Sequence, residues 1–205
     1  MNQIPVTQTV IYSINQHCRQ ETDTAQLAKW LAQGLSQFLQ QDPKGHLNIS
    51  LEGDLGAGKT TFARYLIQGM GYVGKVKSPT YTLCEPYSVT IDEQESDRTI
   101  TAHHFDLYRM RDPLEWQEAG FAEHFDTPGF CLIEWPEKAE GSLPNFDIQI
   151  QLTAGQEENE RSIILNALSE TGTSVLKRAH DQHLFARTEG GKVINFVWIN
   201  YFNDF

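Results

Sequence analysis

The chain has 205 residues, with 16 Lys and Arg against 27 Asp and Glu, a formal net charge of −11. Its apolar fraction of 40% and aromatic fraction of 11% are those of a folded globular chain, not a disordered one, and the length suits one domain of moderate size, with or without a tail. The charge is uneven, −12 over residues 1–160 and +1 over residues 161–205, and an acidic body argues against sequence-independent grip on nucleic acid and against anionic membrane surfaces. Cys18, Cys84 and Cys131 are odd in number and form no C-x-x-C pair, which argues against a disulfide scaffold and a zinc knuckle. The first residues lack the pattern of a signal peptide, and the longest apolar-rich run, Val193 to Phe202, is too short for a membrane span. These features predict a soluble, reduced, cytoplasmic protein with no membrane partner.

In chain order, Val6 to Tyr12 reads as a strand, rich in β-branched and aromatic residues. A helix follows, with Asp23 as N-cap and Gln26 at the third helical position; Leu27, Ala28, Leu31, Leu35, Phe38 and Leu39 share one face. Asp42 to Gly45 ends it. His46 to Leu51 is a short strand, Gly53 to Gly58 interrupts it, and Thr60 to Met70 resumes helical spacing up to Gly71. Tyr81 to Ile91 and Thr99 to Leu107 read as strands on either side of an acidic loop at residues 92–97. Asp112-Pro113-Leu114-Glu115 has the form of a helix start, with Asp as N-cap, Pro first and Glu third. Gly129 to Ile133 is an apolar run of buried-strand type, Pro136 to Pro144 a loop, and Phe146 to Leu152 with Arg161 to Leu165 a hairpin.

The strongest signal is Gly53-Asp54-Leu55-Gly56-Ala57-Gly58-Lys59-Thr60, which fits G-x-x-x-x-G-K-[ST] at every fixed position and lies between a strand and a helix. Glycines allow backbone N–H groups to turn inward around phosphate oxygens, and the helix N-terminus adds its partial positive charge. In such a loop Lys59 bridges the β- and γ-phosphates and the Thr60 hydroxyl ligates Mg²⁺. Thr61 either meets the α-phosphate or packs in the first helical turn. The loop also needs an acid beside the metal. Glu134, closing the apolar run from Gly129, is one candidate, the alternative being a solvated strand end. Asp106 is the other: it reaches the metal through water, orients the attacking water, or only pairs with Arg109.

Four strings in order, LEGDLGAGKTTFAR, KSPTYTLCEPY, HFDLYRMRDPLEW and CLIEWPEKAEGSLP, closely resemble the TsaE family, formerly YjeE, the small bacterial ATPases of tRNA threonylcarbamoyladenosine biosynthesis. The resemblance runs from about Val6 to about Ala167. It implies an α/β P-loop NTPase fold with a mixed parallel and antiparallel sheet flanked by helices. It also implies slow ATP hydrolysis with ATP and Mg²⁺, action with the partners TsaD and TsaB, and contact with tRNA only through them. Carried over by motif, Thr24 lies near the nucleotide, Gly56, Ala57, Gly58, Lys59, Thr60 and Thr61 form the phosphate loop, and Thr60 and Glu134 hold Mg²⁺. Ser78 and Thr80 belong to a switch-like loop near the γ-phosphate. Asp106 is the acid of HFDLYR, Trp135 stands beside the metal-binding Glu, and Arg161 lies near the nucleotide. Lys59, Asp106 and Thr80 are thereby the catalytic candidates.

Each carried-over residue also has a plainer reading: Thr24 as a capping residue, Ser78-Pro79 as a turn, Trp135 as a core aromatic, Arg161 as a partner of Glu157 or Glu158. His103 and His104 alternate across a strand, so at most one faces the site, and neither has metal-ligand spacing with another His or Cys. Residues 1–167 are thus expected to form the ATPase domain and 168–205 an extension for which the family offers no counterpart. Within it, Ser169 to His183 reads as a short helix, and Leu184 to Phe205 as a hairpin turning at Gly190-Gly191. No N-K-x-D string for guanine is present, which leaves the ATP preference unopposed. The competing reading is a small-molecule P-loop kinase with Arg109 and Arg111 as lid arginines, but the sequence shows no separate lid domain.

Overall fold

A computed structural model describes residues 8–91 and 98–189, with side chains through Asp181. Its strands are β1 (Tyr12–Cys18), β2 (His46–Glu52), β3 (Cys84–Thr90), β4 (Thr99–Asp106), β5 (Gly129–Glu134), β6 (Ile148–Ala154) and β7 (Arg161–Ala167). The helices are α1 (Glu21–Gln41), α2 (Lys59–Gly69), α3 (Glu115–Glu118) and α4 (Glu170–Glu189). The strands form one sheet in the order β1-β7-β6-β2-β5-β4-β3. β2 runs parallel to both β5 and β6, and β4 runs parallel to β5, whereas β1–β7, β6–β7 and β3–β4 are antiparallel. The fold is therefore α/β with a mixed sheet. β5 is buried at every position, as a central parallel strand must be when both faces are covered.

The two-residue period of a strand decides which core each side chain joins. Phe130 and Leu132 of β5 enter the larger core, with Leu31 and Leu35 of α1, Phe62 and Leu66 of α2, and Val175 and Leu176 of α4. Cys131 and Ile133 enter a second core on the other face, with Phe105, Leu107, Trp116 and Phe125. On β4, Ala102 joins the first core and Phe105 the second, so His104 and Asp106 continue the parity of Ala102. Phe62 is fully buried, and its truncation to Ala is expected to cost ~3–5 kcal/mol. α4 lies close on α1: a Cβ on Gly34 would stand 2.6 Å from the Val175 carbonyl oxygen, which only glycine avoids.

Several element boundaries differ from those the sequence suggests. Among the described residues the first strand is Tyr12–Cys18: residues 8–11 of the expected Val6 to Tyr12 strand are not in it, Val6 and Thr7 lie outside the described residues, and antiparallel pairing with β7, from Tyr12 opposite Ala167 to Cys18 opposite Arg161, fixes its extent. α1 begins two residues before Asp23. Its N-cap is Gln20, and Asp23 is the third helical residue, whose carboxylate accepts hydrogen bonds from the backbone N–H groups of Arg19 and Gln20. At Asp112 the expected reciprocal bonds do form: Glu115 accepts from the N–H groups of Arg111 and Asp112, and Asp112 accepts from that of Leu114. Regular helix is nevertheless limited to the four residues of α3, with Leu114 as N-cap. Within the loop after β5, Pro136–Ala139 forms a 3₁₀ turn. The terminal helix α4 runs to Glu189, so residues 184–189, expected to open a hairpin, are helical; residues 190–205 of that expected hairpin, and the acidic loop at 92–97, lie outside the described residues.

Candidate functional site

The loop between β2 and α2 has the backbone that its glycines permit. Gly53 has a φ of 141°, and a Cβ there would stand 2.2 Å from the Leu152 carbonyl oxygen, so no other residue fits. Gly56 and Gly58 also have positive φ, 82° and 104°, and Gly58 is the N-cap of α2. The loop tip at Asp54 and Leu55 is exposed.

Lys59, the first residue of α2, turns back under this loop and is 4% exposed. Its Nζ donates to the carbonyl oxygens of Gly53 and Asp54, the latter at 2.9 Å, and stands 3.6 Å from the centroid of the Trp135 ring. Burial lowers the pKa of the ammonium. Glu134 opposes that most strongly, followed by Glu137, Asp106 and Asp54. Trp135 holds its position under Lys59 with a φ of 59°, a left-handed conformation that costs a non-glycine residue ~1–2 kcal/mol.

The acids come from the ends of two parallel strands, where Asp106 stands opposite Glu134. Thr60 Oγ1 donates to Glu134 Oε2 at 3.0 Å, and Glu134 Oε1 is 2.8 Å from His104 Nε2. Asp106 is equally buried. Its Oδ2 accepts from the hydroxyls of Ser78 and of Thr80, the latter at 2.7 Å, and its Oδ1 from the Tyr108 N–H at 3.1 Å. It forms no ion pair with Arg109, whose guanidinium instead lies 4.3 Å from the Tyr81 ring centroid and donates to the Tyr81 hydroxyl. Ser78-Pro79-Thr80 is thus more than a turn: it is latched to Asp106 through both hydroxyls.

On the other side of the loop opens a cleft of about 160 Å³, lined by Thr24, Ala57, Gly58, Thr61, Asn159 and Arg161 among others. Thr24 is buried in the first turn of α1. Arg161 at the start of β7 spans from the β6–β7 turn to the loop. Its Nε donates to the Ala57 carbonyl at 2.8 Å, and other guanidinium nitrogens donate to the carbonyls of Gly56, Glu158 and Glu160. Its partners are therefore backbone oxygens, not the side chains of Glu157 or Glu158.

The candidates read from sequence thus fall into two groups. Lys59, Thr60, Thr80, Asp106, Glu134 and Trp135 surround the inner side of the loop, and Thr24, Ala57, Gly58, Thr61 and Arg161 surround the outer side, with Gly56 at the tip between them. His104 was not among them, although its even spacing from Asp106 was a readable sign that both share a face. Among the described residues no group of three or more His, Cys, Asp and Glu side chains could hold a metal ion. The Thr60 hydroxyl and the Glu134 carboxylate are hard oxygen donors at a phosphate loop. They fit Mg²⁺, which keeps waters and takes only one or two carboxylates plus phosphate oxygens.

A strand, a glycine loop and a helix headed by Lys59 and Thr60, set on a sheet with a parallel centre, define a P-loop NTPase fold. Residues 18–163 match the family model described as threonylcarbamoyl adenosine biosynthesis protein TsaE, and the chain belongs to that family. It is 43% identical over 128 residues to the tRNA threonylcarbamoyladenosine biosynthesis protein TsaE of Haemophilus influenzae, covering 62% of this chain and 75% of that one. To the protein of the same name from Rickettsia felis it is 37% identical over 150 residues, covering 72% and 77%. The crystal structure of Bacillus subtilis YdiB superposes with a TM-score of 0.64 at 26% identity, over 85% of this chain and 99% of that one. No helix among the described residues is long and apolar enough to cross a membrane.

Proposed function

We propose that this chain is a Mg²⁺-dependent ATPase of tRNA threonylcarbamoyladenosine biosynthesis that acts with TsaB and TsaD and reaches tRNA through them. Family membership supports the pathway, and the acidic body fits indirect contact with tRNA. The observation that carries the chemistry is the convergence of Lys59, Thr60 and Glu134 at the head of α2. When bound, Mg²⁺ supplies positive charge to the β- and γ-phosphate oxygens.

The chain's own groups then have distinct tasks. Lys59 exchanges the carbonyls of Gly53 and Asp54 for phosphate oxygens. The loop N–H groups and the N-terminus of α2 hold the remaining phosphate charge. Asp106, anchored by Ser78, Thr80 and the Tyr108 N–H, accepts a hydrogen bond from the attacking water, whose oxygen bonds to the γ-phosphorus as the β–γ bridge breaks. ADP, phosphate and a proton are the products. The latch from Ser78 and Thr80 to Asp106 is the element through which nucleotide state is felt by partners, as in switch loops. Thr24, Thr61 and Arg161 hold the nucleotide on the outer side.

ATP turnover by the full chain, with and without TsaB and TsaD and with phosphorus NMR of the products, tests the reading. The expected result is slow conversion to ADP and phosphate alone, with a rate altered by the partners. A phosphorylated small molecule among the products would replace it with a kinase.

A further inference from the structure

We propose that His104 is a positioning residue that fixes the Glu134 carboxylate, a role that rests on the metal site proposed above. Glu134 is 2% exposed and ends β5; His104 is 0% exposed and lies two residues before the end of β4. The strands are parallel, with His104 opposite Leu132 and Asp106 opposite Glu134. A residue two positions earlier on the same face brings its ring beneath the neighbouring carboxylate. A carboxylate on a Glu side chain turns freely about its last torsion, which is broad and has no sharp wells. One hydrogen bond, from Thr60 to Oε2, leaves that rotation open. The second, 2.8 Å from His104 Nε2 to Oε1, closes it and keeps the Oε2 edge turned toward Thr60 and the phosphate loop.

The ring's own environment assigns its proton. Nδ1 of His104 is buried and has no hydrogen-bond partner among the described residues. A proton on Nδ1 alone would leave a donor unsatisfied there and set the bare lone pair of Nε2 against a carboxylate oxygen. A proton on Nε2 turns the 2.8 Å contact with Glu134 into a hydrogen bond and leaves only an unpaired acceptor at Nδ1, so the imidazole donates to Glu134. Groups that hold a ligating carboxylate in place typically govern metal affinity by ~10–100-fold.

The test measures Mn²⁺, as a paramagnetic probe of the metal site, binding to the full chain in the presence of ADP by electron paramagnetic resonance. ADP affinity in EDTA and thermal unfolding are measured alongside. His104→Leu keeps the volume and burial but removes the donor. His104→Gln places an amide N–H near the position of Nε2, whereas His104→Asn is too short to reach Glu134. The expected result is that Leu and Asn weaken Mn²⁺ by ~10-fold or more while metal-free ADP binding stays unchanged, and that Gln recovers most of the loss. Equal Mn²⁺ affinity in the Gln and Asn variants overturns the proposal, and that comparison stands even if the Leu variant does not fold. Long-range ¹H–¹⁵N spectra of the unsubstituted protein give a second reading: a proton on Nε2 is expected, and a ring protonated on Nδ1 alone overturns it. Glu134→Ala separates the levels. If it too leaves Mn²⁺ affinity untouched, the metal site itself is wrong; if it abolishes binding while His104→Leu and His104→Asn do not weaken it, only the His104 role fails.

Discussion

The two halves of the sheet on either side of β2 serve the phosphate loop in opposite ways. On the β5–β4 side, two buried acids stand at the ends of parallel strands, each with both carboxylate oxygens already hydrogen-bonded. On the β6–β7 side, the loop meets an open cleft and an arginine whose hydrogen bonds all go to backbone oxygens. In the first half the acids are held mainly by side chains, with one backbone N–H from Tyr108, whereas in the second a side chain holds the backbone. The first arrangement fixes the direction of charged atoms, as metal and water chemistry requires. The second fixes the shape of the loop and leaves room for a ligand. Substitutions in the two halves should accordingly differ in kind, the first depending on metal and the second not.

The largest effect is expected at Lys59, which joins the halves. Lys59→Ala should lower ATP turnover by ~10²–10³-fold, the range for removal of one charge-stabilising donor, and leave the circular dichroism spectrum unchanged. Its Nζ bonds are to loop carbonyls, so no packed core is opened. Normal turnover by this variant would remove the phosphate-loop chemistry.

Next comes the acid half. Glu134→Ala should weaken Mg²⁺-dependent nucleotide binding by ~10–100-fold, and Asp54→Ala by less than about twofold. Asp54 is close in sequence to the residues proposed to bind phosphate, but it is exposed, and among the described residues its carboxylate makes no hydrogen bond. Titration with a fluorescent nucleotide at varied Mg²⁺ distinguishes them, and equal losses would erase the difference between the acid half and the loop tip.

What sequence made legible follows the same division. The glycine spacing, Lys59 and Thr60 could be read because the backbone geometry of the loop demands those residue types. Glu134 and Asp106 could be read as polar ends of apolar strands. His104 could not, because alternation assigns a face but does not reveal that the neighbouring strand presents Glu134 in reach. The partners of Arg161 were illegible for another reason: backbone carbonyls leave no residue type to recognise. The start of β1 was misplaced because its limits are set by pairing with β7, which is distant in sequence. The start of α1 was misplaced because Asp23 caps from inside the helix as readily as from its boundary.

An effect on stability, not on nucleotide binding, is expected on the reverse face of β4. His103 stacks on His124 with ring centroids 4.1 Å apart, and its pKa is lowered to about 4, first by burial and then by His124 and His46. Between pH 6.5 and about 4 the unfolded chain takes up a proton that the folded ring refuses, so stability rises with pH across that window and is lost on acidification. Below it both states are protonated and the loss levels off; above it the ring is neutral in both. The loss should approach ~3 kcal/mol. His103→Leu should flatten urea-unfolding stability over this window, and an unchanged slope would show that the acid sensitivity lies elsewhere.

The smallest effect, and the sharpest on the comparison, concerns Arg161. Its guanidinium reaches the carbonyls of Gly56 and Ala57 on one side and those of Glu158 and Glu160 on the other, a span that only a planar fork of donors makes. If its task is to hold the loop, Arg161→Lys should behave like Arg161→Ala, because an ammonium keeps the charge but not the fork. If its task is to attract phosphate charge, Lys should behave like Arg. The bonds to loop carbonyls are partly exposed and worth ~1 kcal/mol, so a loss of ~5-fold in nucleotide affinity is expected for both variants. That loss should be the same for ADP and ATP and the same in Mg²⁺ and in EDTA, since no metal-facing oxygen moves. Isothermal titration with both nucleotides under both conditions measures it. A loss that appears only with Mg²⁺, or a Lys variant that binds as the unsubstituted chain does, would mean that the β6–β7 side acts by charge like its counterpart and does not act by shaping the loop.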